Sequence, residues 1–137
     1  FLIRDPALVV ASYVKSRARV EPADIGLLQQ VQLFDELAQA LGHAPPVIDA
    51  ERFLKAPAAQ LRALCQALDV PFSERMLSWP PGPRASDGVW APHWYAAVWQ
   101  STSFEPWRDK RVPLPADLAA VAAACRPAYE RLLAHVI

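Results

Sequence analysis

The chain has 137 residues, the size of one domain or of part of one. Its 14 basic side chains balance 14 acidic ones, so composition gives no support for a nucleic-acid or anionic membrane surface as a partner. No apolar run reaches the length of a membrane span and no signal peptide is visible, so we expect a cytoplasmic protein without a membrane span.

The opening twelve residues predict a strand, a basic residue and a capped helix. Phe1 to Ile3 is an apolar run that stops at a charge, as a buried parallel strand does at its carboxyl end. Asp5 can cap the next helix, and the proline after it suits the first turn. A strand end beside a helix start favours anions, and Arg4 and Ser12 would supply donors there. The alternative is that Arg4 only pairs with Asp5 or Asp49 and that Ser12 bonds back to its own helix.

Arg4-Asp-Pro, followed by Ser12 eight residues after the arginine, resembles a segment of sulfotransferases. These enzymes have a P-loop-like fold and use 3′-phosphoadenosine 5′-phosphosulfate (PAPS). In that family the strand-end arginine and the helix serine hold the 3′-phosphate of the nucleotide. The resemblance therefore implies that Arg4 and Ser12 bind this phosphate, with PAPS as co-substrate and no metal.

The chain opens in what reads as an interior strand, and only one other strand, Val47 to Asp49, is visible. A sheet of only two short parallel strands is too small for so many helices to pack against it. We therefore expect residues 1–137 to be the helix-rich C-terminal part of a single sulfotransferase-like α/β domain with a three-layer P-loop-like fold. The N-terminal part, which in the family carries the 5′-phosphosulfate loop and usually the catalytic base, is expected to be absent, because no Gly-rich Lys-Ser/Thr loop occurs here. This segment alone would then be inactive.

A second helix is predicted between a turn at Glu21 to Asp24 and the helix terminator Gly42. Seven apolar positions form its expected core face: Leu27, Leu28, Val31, Phe34, Leu37, Ala38 and Leu41. Before this helix, Lys15, Arg17 and Arg19 form a basic cluster that either contacts a phosphate or an acidic acceptor, or lies on a solvated face.

The segment from Val47 to Phe72 is similar to a second sulfotransferase segment, with a strand, an acidic turn and a helix started by proline. Asp49 is expected to open a short helix through Leu54. Many sulfotransferases carry a tyrosine that approaches the adenine at the position of Ala50. The next helix has an ordinary core stripe of Leu61, Leu64, Cys65 and Leu68. Both cysteines, Cys65 and Cys125, read as reduced core residues rather than a disulfide or metal site.

Ser73 is expected to cap a helix from Glu74 to Trp79, and residues 80–88 must form a loop because they are rich in proline and glycine. All five tryptophans lie in or beside this loop, as does His93. They predict either a lid over a ligand as well as core packing, or only the packing of a helix from Pro92 to about Ser101. His93 is a candidate acceptor-side base, or else a surface or helix-start histidine.

The loop also resembles a third family segment, Arg-Lys-Gly-x-x-Gly-x-Trp, which closes over the 3′-phosphate. By this resemblance Arg84, Gly88 and Trp90 are further nucleotide-binding residues. The lysine and the first glycine of the pattern are missing, and the spacing from arginine to tryptophan is one residue shorter.

Arg108, Lys110 and Arg111 form a second basic group, which either closes the nucleotide site or lies on a solvated turn. Pro113 and Pro115 precede the last predicted helix, a packing element in which a proline predicts a kink. Its apolar stripe is Leu118, Val121, Ala122, Cys125, Tyr129, Leu132 and Val136.

The three resembling segments imply a complete enzyme that transfers a sulfuryl group from PAPS to a hydroxyl or amine. Its expected partners are the nucleotide and a small-molecule acceptor, with a homo-oligomer left open. Two other classes also remain open: a non-catalytic nucleotide-binding relic, and a helical interaction module whose Trp-rich loop holds a protein partner.

Overall fold

A computed structural model describes residues 1–110 and 113–137, which form mainly helices and a two-stranded parallel sheet. Single 3₁₀ turns occur at Pro22–Ile25 and Glu74–Met76. The strands and helices are β1 (Leu2–Ile3), α1 (Pro6–Tyr13), α2 (Leu27–Leu41), β2 (Ile48–Asp49), α3 (Ala50–Lys55), α4 (Pro57–Ala67), α5 (Ala91–Trp94), α6 (Ala96–Gln100) and α7 (Ala116–Leu133).

The predicted strand pair is confirmed, with each strand one residue shorter than expected. Leu2 lies opposite Ile48 and Ile3 opposite Asp49, in parallel register. Because parallel strands end at the same edge, the chain leaves both strands there and enters a helix each time, α1 after β1 and α3 after β2. This edge therefore brings two strand-to-helix corners side by side.

The core lies where α1, α2 and α7 pack together beside the sheet. Ile3, Val10, Cys125 and Leu132 are fully buried in it. The predicted stripe of α7 is confirmed from Ala122 to Leu132, and the helix continues through its proline. Val136 lies beyond the end of α7 and pairs with Val47 as an isolated bridge.

The core face predicted for α2 is wider than the face that is buried in the structure. Leu27 and Phe34 are buried, whereas Leu28, Leu37 and Leu41 are exposed. Packing on one side, mainly against α7, covers a narrow stripe of a helix, and the flanking leucines remain in solvent. Gly42 ends α2 in the left-handed conformation with φ of 74°, as predicted.

Two further predicted helices differ from the structure. The helix expected from Glu74 to Trp79 is only a 3₁₀ turn at Glu74–Met76, because the chain then extends and the backbone N–H of Trp79 donates to the Thr102 carbonyl. Ser73 does cap this turn, through the N–H of Arg75. The helix expected from Pro92 to Ser101 is broken at Tyr95 into α5 and α6.

Both cysteines are buried and free. The Sγ of Cys65 lies 3.9 Å from the sulfur of Met76, and that of Cys125 lies 3.7 Å from the Pro22 carbonyl oxygen. Over residues 1–110 and 113–137, no group of three or more His, Cys, Asp or Glu side chains could hold a metal ion. Within the same ranges, every helix is too short or too polar to cross a bilayer.

Candidate functional site

Arg4 lies at the corner between β1 and α1, where the sequence predicted it. Asp5 caps α1 by accepting the N–H of Ala7 at 2.8 Å, and Pro6 occupies the first turn. This geometry holds the half-buried Arg4 at the carboxyl end of β1 and beside the start of α1. Anions are favoured at such a position, because a helix start exposes backbone N–H groups and the ligands of open α/β sheets bind outside the carboxyl ends of the strands.

Neither carboxylate that could have paired with Arg4 does so. Asp5 accepts three hydrogen bonds from the Arg126 guanidinium at 3.1–3.2 Å, one from Nη1 and two from Nη2. Asp49 accepts the backbone N–H of Arg52 and the hydroxyl of Tyr129, each at 2.9 Å. Within the described part of the chain, Arg4 has no hydrogen bond or ion pair. Its guanidinium is therefore free to bind a ligand.

Arg4 and Ser12 line one cavity of about 430 Å³, which we term the basic pocket. One wall is a face of α1 and the turn after it, where the spacing of three and four residues aligns the side chains. The complete lining is Arg4, Leu8, Ala11, Ser12, Lys15 and Lys110. Three cations and a hydroxyl thus converge on one space.

Ser12 presents an exposed hydroxyl to the basic pocket. Among residues 1–110 and 113–137 this hydroxyl has no hydrogen-bond partner, so the expected alternative of a bond back to its own helix is not seen. Of the predicted cluster at the end of α1, Lys15 reaches the pocket, whereas Arg17 and Arg19 are exposed and lie outside its lining.

A second cavity of about 240 Å³, the side pocket, adjoins the first and shares Arg4 and Lys110 with it. It is lined by Arg4, Ala50, Leu54, Glu105, Pro106, Trp107, Arg108 and Lys110. The segment 105–110 thus returns to the strand ends, so Arg108 and Lys110 face a cavity and do not form a merely solvated turn. Arg111, the third member of this predicted basic group, lies outside the described residues.

Lys110 lies beside Arg4, as in the alternative in which its basic group closes over the site, whereas the approach of Trp107 to Arg4 was not predicted. The available signal was a tryptophan beside a basic group ahead of the last helix. Ala50, which stands where many sulfotransferases have a tyrosine, does lie at the site and leaves the side pocket open.

Arg84, Gly88 and Trp90 are not brought to either pocket. The Arg84 side chain donates to the Pro80 carbonyl at 3.4 Å, and Trp90 is 69% exposed. Asp87 ties the loop together by accepting the backbone N–H of Arg84 and the indole N–H of Trp99, both at 2.8 Å. These hydrogen bonds, that of Arg84 first, lower the pKa of the Asp87 carboxyl.

His93 lies on α5 with an exposed side chain, and it lines neither pocket. Its ring lies 6.1 Å from that of Trp90. Trp94 is 67% exposed, so it does not pack onto the core, whereas Trp79 and Trp99 are half-buried. Two of the tryptophans at the loop, Trp79 and Trp99, are therefore partly packed, whereas Trp90 and Trp94 are largely in solvent.

Comparison with known proteins gives one family. A model of the sulfotransferase domain matches residues 1–135. The chain is also similar to two Arabidopsis thaliana proteins named branched-chain-amino-acid aminotransferase-like protein 1 and 2, at 36% and 34% identity. Each match covers 98% of this chain and 24% of the relative, so the chain spans about a quarter of the length of these proteins. No solved structure matches the chain significantly.

Proposed function

This chain belongs to the sulfotransferase domain family, and from that premise we propose that it supplies the site for the 3′-phosphate of PAPS. In this proposal Arg4, Ser12, Lys15 and Lys110 bind the phosphate in the basic pocket. The complete protein would be a sulfotransferase that acts on a hydroxyl or amine acceptor.

The observation that carries the proposal is Arg4, which has no partner among the described residues and faces the same cavity as Ser12 and two lysines. A guanidinium gives two parallel N–H bonds to phosphate oxygens, whereas lysines add positive charge and the hydroxyl adds a directed donor. A half-buried arginine with both neighbouring carboxylates engaged elsewhere carries a charge that a phosphate would neutralise.

The residues of the basic pocket would act mainly on nucleotide affinity, because the 3′-phosphate does not react. When bound, PAPS supplies the sulfuryl group, which would pass in line to the acceptor oxygen or nitrogen as its bond to the 5′-phosphate breaks. Adenosine 3′,5′-bisphosphate would then be the leaving group, and the acceptor proton would go to a base. Arg4 and Lys110 would hold the nucleotide in a fixed orientation for that transfer. In this proposal His93 is the candidate base on the acceptor side.

The proposed fold is a three-layer P-loop-like domain of which this chain is the helix-rich C-terminal part. The two-stranded sheet supports it, because its surroundings are apolar and open. Leu2 is 66% exposed, and a cavity of about 500 Å³ beside the strands has an almost entirely apolar lining: Phe1, Leu2, Ile48, Phe53, Leu64 and Phe104. Further strands of the sheet would cover such a surface.

Arg84, Gly88 and Trp90 enter this proposal only as parts of a lid. They would reach the nucleotide after the loop 80–90 moved toward the strand ends, since they lie outside both pockets in the structure. The segment 105–110 already lies beside Arg4, so Lys110 takes the role of the additional basic residue.

One observation favours a second candidate function, a module that binds a protein partner. Val89, Trp90 and Trp94 are 86%, 69% and 67% exposed and lie close together in the chain. Exposed aromatic groups of this size are common where proteins associate. In this candidate the Trp-rich loop is the contact surface and the basic pocket has no ligand.

Calorimetry on the protein encoded by the complete gene separates the two candidates. Adenosine 3′,5′-bisphosphate should bind at least about tenfold more tightly than adenosine 5′-phosphate, because only the former fills the basic pocket. Equal affinities, or no binding of either, would contradict the 3′-phosphate site. Transfer of radiolabelled sulfate from PAPS would then distinguish an enzyme from a nucleotide-binding relic.

A further inference from the structure

Two side chains of α7 hold the two strand-to-helix corners that flank the site. Arg126 pairs with Asp5 at 3.1 Å, and Asp5 is the cap of α1. One turn later, Tyr129 donates its hydroxyl to Asp49 at 2.9 Å, and Asp49 is the cap of α3. The guanidinium of Arg126 also lies 5.3 Å from the Tyr129 ring. A single helix thus fixes both capping carboxylates.

Each capping carboxylate is the chain neighbour of a residue that lines the site. Arg4 directly precedes Asp5, and Ala50 directly follows Asp49. Ile3, the residue before Arg4, lies opposite Asp49 in the sheet register. Movement of either carboxylate would therefore move the backbone from which the Arg4 side chain projects.

We infer that Arg126 and Tyr129 are positioning residues, which set the direction of the Arg4 guanidinium without touching the ligand. This inference rests on the proposed function. Neither residue lines the basic pocket or the side pocket, so any effect on nucleotide binding must pass through the corners.

Burial makes the Tyr129 contact suited to this role. Asp49 is 2% exposed and Tyr129 is 8% exposed, so water does not compete for the bond between them. Burial first, and the hydrogen bond to Asp49 second, raise the pKa of Tyr129, so its hydroxyl keeps the proton that it donates. The carboxylate is then held from two sides, by this hydroxyl and by the N–H of Arg52.

A double-mutant cycle with Arg4 tests the inference on the protein encoded by the complete gene. Tyr129→Phe keeps the ring but loses the hydroxyl, and it should weaken the binding of adenosine 3′,5′-bisphosphate by about fivefold. If Tyr129 acts through Arg4, the same change in an Arg4→Ala background should alter affinity by less than about twofold. Arg126→Lys gives a second cycle, with the same expectation, should Tyr129→Phe fail to fold.

Leu132→Val is the matched control, because it loosens α7 at a fully buried apolar position whose side chain cannot hydrogen-bond to either carboxylate. It should lower the melting temperature and leave bisphosphate affinity unchanged. Equal losses of affinity from Tyr129→Phe in both backgrounds, or no loss in either, would overturn the positioning role. If the wild-type protein does not bind the bisphosphate, the proposed function fails as well, so the two failures are distinguishable.

Discussion

Replacing Asp49 with alanine should destabilise the protein more than the loss of an ordinary helix cap. Asp49 is 2% exposed and accepts two hydrogen bonds, one from the N–H of Arg52 and one from the hydroxyl of Tyr129. Loss of the cap costs about 1 kcal/mol. The Tyr129 hydroxyl would also stay buried without an acceptor, at a cost of about 1–3 kcal/mol.

The expected loss in free energy of unfolding is therefore about 2–4 kcal/mol, measured by urea denaturation. Asp24→Ala is the matched control, since Asp24 is an exposed carboxylate that accepts one capping bond, from the Glu21 N–H at 2.8 Å. Adding Tyr129→Phe to Asp49→Ala should recover part of the loss, because no buried hydroxyl then lacks a partner. An Asp49→Ala loss no larger than that of Asp24→Ala would refute this reasoning.

Three further predictions follow from the site and the core. In calorimetry at two salt concentrations, Lys110→Ala should weaken binding of adenosine 3′,5′-bisphosphate by about tenfold and reduce the salt dependence of that binding. The control Arg75→Ala, which removes an exposed charge outside both pockets, should change neither quantity. Ser12→Ala should weaken the same binding by about three- to tenfold, the value of one hydrogen bond, and an unchanged affinity would place the serine outside the site. Above pH 10, the ordinary pKa of tyrosine, the unfolded chain releases the Tyr129 proton while the folded chain keeps it. The free energy of unfolding should therefore fall with rising pH more steeply than in Tyr129→Phe, and parallel pH profiles of the two proteins would contradict the buried hydroxyl bond.

Local patterns in the sequence predicted the corner that positions the site. Strand, charge, capping aspartate and proline follow one another over six residues, and each acts on its immediate neighbours. For that reason the positions of Arg4 at the strand end and Ser12 on α1 could be predicted before any tertiary contact was known. Their nucleotide-binding role is still a proposal.

Long-range contacts could not be predicted in the same way. Lys110 is separated from Arg4 by more than a hundred residues, and no local signal indicates which basic segment returns to the strand ends. The bonds from Arg126 and Tyr129 span 121 and 80 residues. A helical stripe predicted that α7 packs, but periodicity carries no information about which polar groups it meets.

Periodicity also overestimated how much of α2 is covered. Leu28, Leu37 and Leu41 widen the apolar face in sequence, yet the neighbouring helix covers only the strip around Leu27 and Phe34. The number of neighbours around a helix is set by the whole fold, so the width of its buried face cannot be obtained from its own residues.

The most direct test of the anion site is calorimetric titration of adenosine 3′,5′-bisphosphate into the wild-type protein and its Arg4→Ala variant. Because the phosphate would lose a bidentate charged partner, the variant should bind about 10- to 100-fold more weakly while adenosine 5′-phosphate binding stays unchanged. Equal affinity of the two proteins for the bisphosphate would contradict the central claim that Arg4 holds the 3′-phosphate.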